Sequence, residues 1–219
     1  MKRVGLAGVS LLALATVAAA ADLPRRFNPG PAPAYIPVYN WTGFYIGING
    51  GGAWGDSTWS SIGTFDVAGF LVGGTAGYNW QAGQFVFGLE GDYAWTGIDG
   101  TSSAACAAGC KTSNSWLATV RGRIGYAYDR FLPYITGGLA LGDIKANQPR
   151  FVGAHDFNAG WTLGGGFEFV IAGNWSAKAE YLYIDLGKFN CGLACGNGIN
   201  PDNVSFSTHV VRGGVNFRF

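Results

Sequence analysis

From Trp41 onward the chain alternates apolar residues with small or polar ones at period two, the side-chain repeat of a β-strand. Over 42–54, Phe44, Ile46, Ile48 and Trp54 share one parity and Tyr45, Gly47 and Asn49 the other. Over 70–81, Phe70, Val72, Ala76, Tyr78 and Trp80 alternate with Gly73, Thr75, Gly77, Asn79 and Gln81. Phe85, Phe87, Leu89, Tyr93 and Trp95 oppose Gln84, Glu90, Asp92 and Thr96, and Trp116, Ala118, Val120, Ile124, Tyr126 and Tyr128 oppose Ser115, Thr119, Arg121 and Arg123. Ile135, Leu139 and Leu141 oppose Tyr134, Thr136 and Gly138, while Trp161, Leu163, Phe167 and Phe169 oppose Thr162, Gly164, Gly166 and Glu168. Ala177, Ala179, Tyr181 and Tyr183 oppose Ser176, Lys178 and Glu180; Val211, Val215, Phe217 and Phe219 oppose Arg212, Asn216 and Arg218. The pattern predicts eight strands. Short joins near Ala82-Gly83, Asp129-Arg130 and Ala172-Gly173 alternate with long connections around 55–66, 98–114, 143–157 and 186–203.

Two segments precede this pattern. Lys2 and Arg3, an uncharged run from Val4 to Val17, and Ala18-Ala19-Ala20 follow the order of a secretory signal peptide, expected over 1–20 with cleavage after Ala20. A membrane anchor is the rival reading, but glycine and alanine leave that run only weakly apolar. Residues 21–40 hold five of the eight prolines, and proline lacks the ladder donor, so a Pro-rich periplasmic tether is expected there. The barrel domain is then 41–219.

Composition decides which way the strands face. Glycine supplies 37 residues, aromatics make up 15% and charged residues only 12%, about half the usual quarter. Mean hydropathy is +0.17, high for an exported chain with no further helical span. Lys plus Arg number 14 against 13 acids, so no basic surplus points to nucleic acid; losing Lys2 and Arg3 would leave a net charge of −1. A soluble lipocalin-like barrel would put its polar parity in water and carry many charges there. Here that parity is mostly Gly, Ser, Thr and Asn, while Trp54, Trp80, Trp95, Tyr126, Tyr128, Trp161 and Trp175 gather at strand ends as interfacial girdles do. The expected fold is therefore all-β: an eight-stranded antiparallel transmembrane β-barrel, aromatic outside and polar inside, with both termini on the short-turn, periplasmic side.

Trp41 to Gly55 (WTGFYIGINGGGAWG), Gly77 to Gln81 (GYNWQ) and Thr119 to Gly142 (TVRGRIGYAYDRFLPYITGGLALG) resemble the small outer-membrane barrels of alphaproteobacteria. So do Gly160 to Phe169 (GWTLGGGFEF), Asn174 to Gly187 (NWSAKAEYLYIDLG) and the ending VVRGGVNFRF. These are the porin-like or immunogenic outer-membrane proteins, related in fold to the OmpA-type eight-stranded barrel. The resemblance implies a surface-exposed barrel in a Gram-negative outer membrane. It carries over no catalytic residue.

Candidate chemistry is sparse. Glu90, Asp92, Glu168 and Glu180 take the inward parity, as do Arg121, Arg123, Lys178 and Arg212. Four acids and four bases in a narrow lumen should pair, since buried charges persist only when compensated. They would either plug the barrel or gate an ion pathway. Cys106, Cys110, Cys191 and Cys195 fall in expected outer loops. In an oxidising compartment they suggest two disulfides of open connectivity; a metal site is the rival, without nearby His or Asp partners. Gly50 to Gly55 matches G-x-G-x-x-G, but no helix follows it to hold a phosphate. Val215, Phe217 and Phe219 end the chain on an outward aromatic, which resembles the signal read by the outer-membrane barrel assembly machinery.

The sequence thus predicts a non-enzymatic outer-membrane barrel with a structural, surface or weakly porin-like role and no cofactor. Its expected partners are outer-membrane lipid and lipopolysaccharide, the assembly machinery during biogenesis, and an undefined surface ligand, but not nucleic acid. A surface adhesin or ligand-binding barrel acting through disulfide-tied outer loops is the alternative. A lipid-modifying enzyme is the third reading, with Ser207 and His209, which share a parity near the outer half of the last strand, as its candidate pair.

Overall fold

The computed structural model describes residues 39–59, 63–102, 110–147, 154–192 and 202–219. The expected signal peptide and most of the tether lie outside the described residues. Eight strands follow in order among those described: β1 Gly43–Trp59, β2 Gly63–Ala82, β3 Phe85–Ser102, β4 Cys110–Tyr126, β5 Phe131–Asn147, β6 Ala154–Ala172, β7 Trp175–Gly192 and β8 Asp202–Arg218. Each pairs antiparallel with its chain neighbours, and β1 closes on β8 from Tyr45 opposite Arg218 to Trp59 opposite Val204. Closure leaves no edge strand, which is what permits a sheet to cross lipid. The connections 83–84, 127–130 and 173–174 lie at the end of the barrel that holds Thr42 and Phe219.

The pleat sorts the residues as the alternation predicts. Outward Ile48 is 72% exposed and Phe70 68%, whereas inward Arg121 is 0% and Glu90 1%. The outward apolar runs Phe44 to Trp54, Phe70 to Trp80, Phe85 to Trp95 and Trp161 to Ile171 each have about the length a tilted strand needs to cross a bilayer, roughly 9–11 residues. Aromatic pairs ring both ends of this belt. Trp54 stacks on His209 at 6.1 Å and Trp161 meets Tyr183 at 5.3 Å at one end; Phe85 meets Tyr126 at 5.5 Å and Trp175 meets Phe217 at 5.0 Å at the other.

The strands run 17 to 20 residues, well beyond the belt, into the segments read above as long connections. β1 continues to Trp59 and β2 starts at Gly63, so the connection expected over 55–66 reduces to 60–62. The reason is that polarity inverts beyond the girdle while the pleat continues. Asp56, Thr58, Thr64, Asp66 and Asp99 face outward there, and Val67, Leu71, Ile98, Ile144, Leu186, Val204 and Phe206 fill the interior. This part of the barrel is built like a soluble β-domain. A search for outward apolar residues reads it as loop.

Register shifts between Trp95 and Ile98 and between Ser113 and Leu117 mark bulges at this level. The second moves Ser115 off the lumen face, because Asp143 Oδ1 accepts from the Ser115 and Trp116 amides at 2.9 and 3.1 Å.

Candidate functional site

All eight inward charges lie within the barrel and meet in one cluster. Arg121 is central. Its Nη2 donates to Glu90 and, at 3.0 Å, to Asp92 Oδ2, and its Nη1 donates to Glu180 Oε1 at 3.0 Å. Arg212 closes the opposite side, from Nη1 to Asp92 Oδ1 at 2.8 Å and from Nε to Glu180 Oε2 at 2.8 Å. Lys178 Nζ reaches Glu90 Oε2 at 2.8 Å, and Arg123 Nη1 reaches Glu168 Oε2 at 3.0 Å. The formal charges cancel, and every carboxylate holds a cation at charge-assisted distance.

Some of these pairs follow the ladder and some cross the lumen. Glu90 lies opposite Arg121, and Glu180 opposite Arg212, on adjacent strands. Lys178 lies opposite Glu168 in register, yet its ammonium turns to Glu90 on β3.

Neutral side chains complete the cluster. The Tyr45 hydroxyl donates to Glu90 at 2.7 Å and the Tyr134 hydroxyl to Glu180 at 3.1 Å, while the Arg123 guanidinium lies 4.9 and 5.1 Å from the two ring centroids. Thr119 donates to Asp92 at 2.6 Å, Ser176 and Asn216 to Glu168 at 2.5 and 2.9 Å, and Arg123 Nε to Asn79 Oδ1 at 2.9 Å. Charge alone does not single these residues out, but each sits on the inward parity.

Apolar layers flank the charges on both sides. Toward the outer end lies the apolar interior described above. Toward the short-turn end, Val86, Ala127, Leu132 and Val170 surround Trp41, which is 2% exposed. Inward glycines do not open space between these layers. A Cβ on Gly51 would lie 2.1 Å from Val211 O and one on Gly138 2.1 Å from Val120 O. These glycines mark the close approach of one strand to the next, not room in the lumen.

The remaining candidates lie elsewhere. Cys106 and Cys195 fall outside the described residues, and Cys110 and Cys191 lie at the outer ends of β4 and β7. Ser207 and His209 both face outward; His209 Nδ1 and the Tyr181 hydroxyl are 2.6 Å apart, and the ring stacks between Trp54 and Tyr181. That histidine is a member of the girdle. Val215, Phe217 and Phe219 face outward at the short-turn end, where the Phe219 amide donates to Phe44 O at 2.9 Å and the Phe217 and Phe219 rings meet at 5.3 Å.

Comparison with known proteins agrees with this architecture. The chain is 39% identical over 244 aligned positions to the 31 kDa outer-membrane immunogenic protein of Brucella melitensis, covering all of both chains. It is 37% identical over 149 positions to a 22 kDa outer membrane protein of Rhizobium leguminosarum, covering 68% of this chain and 66% of the relative. Among solved structures it resembles Neisserial surface protein A at a TM-score of 0.50 and 20% identity, covering 81% of this chain and 98% of that one, which bears on the fold alone. The family model for the outer membrane protein β-barrel domain matches residues 7–219, and the chain belongs to that family as an outer-membrane β-barrel protein of a Gram-negative bacterium.

Proposed function

We propose that this protein is a sealed, non-enzymatic barrel that reinforces the outer membrane and presents its outer connections at the cell surface. The observation that carries the reading is the lumen: a neutral, fully paired charge cluster between two apolar layers. A hydrated ion path needs polar groups along its whole length, and a buried apolar cluster lies on each side of the charges. The plug is thus favoured over the gate. Planar-bilayer recording of the refolded barrel tests it: the expected result is no steady conductance above the bare bilayer. A large, constant open level would overturn the reading in favour of a porin.

The strand extensions favour surface presentation. Their polar exterior and packed interior make a rim beyond the girdle from which the outer connections start. Disulfides among Cys106, Cys110, Cys191 and Cys195 would tie two of these connections. The relatives named immunogenic outer-membrane proteins agree with such exposure. Lipopolysaccharide is the proposed neighbour of the outer girdle.

We also assign Val215, Phe217 and Phe219 to recognition by the barrel assembly machinery. Deleting Phe219 is expected to lower the assembled amount several-fold while export across the inner membrane continues, read as loss of the heat-modifiable gel band with the signal peptide still processed. Normal assembly of the deletion would refute the assignment.

A further inference from the structure

The short-turn mouth of the barrel is closed by a side chain that no strand supplies. β1 begins at Gly43, so Trp41 precedes the ladder, yet it is among the most deeply buried large residues of the domain. Its ring occupies the apolar cup of Val86, Ala127, Leu132 and Val170. Polar groups at the rim fix its orientation. Trp41 Nε1 donates to Asp129 O at 3.0 Å, and the Trp41 amide donates to Gln81 Oε1 at 2.7 Å.

Tyr39 covers it. The two rings meet edge-on at 5.0 Å, the Tyr39 amide donates to Asp129 Oδ1 at 3.0 Å, and the Arg218 guanidinium stands 4.2 Å from the Tyr39 ring centroid. Asp129 adopts φ +54, an uncommon conformation for a residue with a side chain, within the short turn that holds both acceptors. An apolar cup with a few convergent polar groups is the usual form of a small-molecule site. Here the occupant is the protein's own indole.

We infer that Trp41 is a removable stopper, seated in an aromatic-binding cup at the periplasmic mouth, that controls entry of water and small ions to the charge cluster. Removal is feasible because Tyr39 to Thr42 form no ladder pairs: withdrawing the indole breaks rim hydrogen bonds and leaves all eight strands paired. Gly43, at φ +143, supplies a backbone conformation that side-chain-bearing residues rarely adopt, at the point where the segment turns into β1. Glu168 lies one inward position deeper than Val170 of the cup wall, and Ser176, the ladder partner of Val170, donates to it. The periplasmic layer is therefore the openable one, whereas the outer apolar layer is built entirely from paired strands.

The test uses a buried thiol reporter at the cup wall. Ser176→Cys is introduced into the full mature chain with Cys106, Cys110, Cys191 and Cys195 replaced by serine, and the refolded barrel is treated with a small charged thiosulfonate. With Trp41 in place the reporter should react slowly. Trp41→Ala should accelerate labelling at least tenfold, and millimolar indole, refilling the cup, should return it toward the parent rate. If Trp41→Ala fails to assemble, Trp41→Leu, which keeps apolar bulk but loses the donor to Asp129, should show a several-fold acceleration. Equal rates in parent and folded variant, or an acceleration that indole leaves unchanged, would overturn the inference. The inference rests on the sealed-lumen reading, yet the two can fail separately: labelling reports entry from one side, conductance passage through both ends.

Discussion

Replacing Arg121 by alanine is expected to cost the barrel on the order of 3–5 kcal/mol, the range for breaking a buried ion pair by removing one partner. The argument rests on what remains. Arg121 serves Glu90, Asp92 and Glu180 together, so its loss leaves four carboxylates facing Arg123, Lys178 and Arg212 between two apolar clusters. Each acid keeps one cation, Glu90 through Lys178 and Asp92 and Glu180 through Arg212, but the cluster is left one positive charge short and loses the fork that joins all three. Denaturant titration of the barrel refolded into vesicles should show the midpoint falling without a change of slope. Arg121→Lys should lose less, since the charge remains while the fork that spans three acids is gone. A midpoint within error of the parent would show that water, not Arg121, compensates the acids.

The second large effect is expected at a residue with no side chain. Gly138 lies opposite Arg121 on β5, and a methyl group there would fall 2.1 Å from Val120 O and 2.7 Å from Arg121 Cα. Both are backbone atoms of a paired strand, so relief requires shifting β4 against β5. Gly138→Ala should therefore lower stability by about 1–3 kcal/mol or more, as overpacking does. Gly122, on the neighbouring rung and facing outward, is the control: its nearest foreign atom would be 4.0 Å from an added Cβ, and Gly122→Ala should stay within about 0.5 kcal/mol. Comparable losses at both positions would point to glycine propensity in general and not to close strand approach.

How much of this was legible in the sequence differs from element to element. The membrane belt was, because outward aromatics and aliphatics such as Phe70, Val72, Tyr78 and Trp80 repeat at period two with no competing signal. The charged interior was legible for the same reason: Glu90 and Arg121 stand on the parity opposite to aromatic neighbours. Partners across the lumen were not. Register predicts ladder neighbours, and Lys178 would have been assigned to Glu168 although it reaches Glu90. That inward Gly51 and Gly138 mark close strand contact is revealed only by strand spacing. Trp41 carried no periodic signal because it precedes the first strand, so it read as a boundary and not as part of the interior.

The inversion of polarity beyond the girdle sets different substitution rules for two halves of one strand. Below Trp54, an outward charge on β1 would enter hydrocarbon and cost up to about 2–4 kcal/mol at mid-membrane. Two residues above it, Asp56 is already such a charge and stands in an aqueous or headgroup setting. From Trp54 to Trp59 the strand climbs on the order of 10–15 Å, given about 3.3 Å per residue and the tilt of barrel strands. That elevation places the outer end of β1 clear of the hydrocarbon, on a footing that exchange of lipid species around the belt does not disturb. The height of the outer strand ends above the girdle is thus set by the polar extensions and their apolar interior, and not by the thickness of the membrane below.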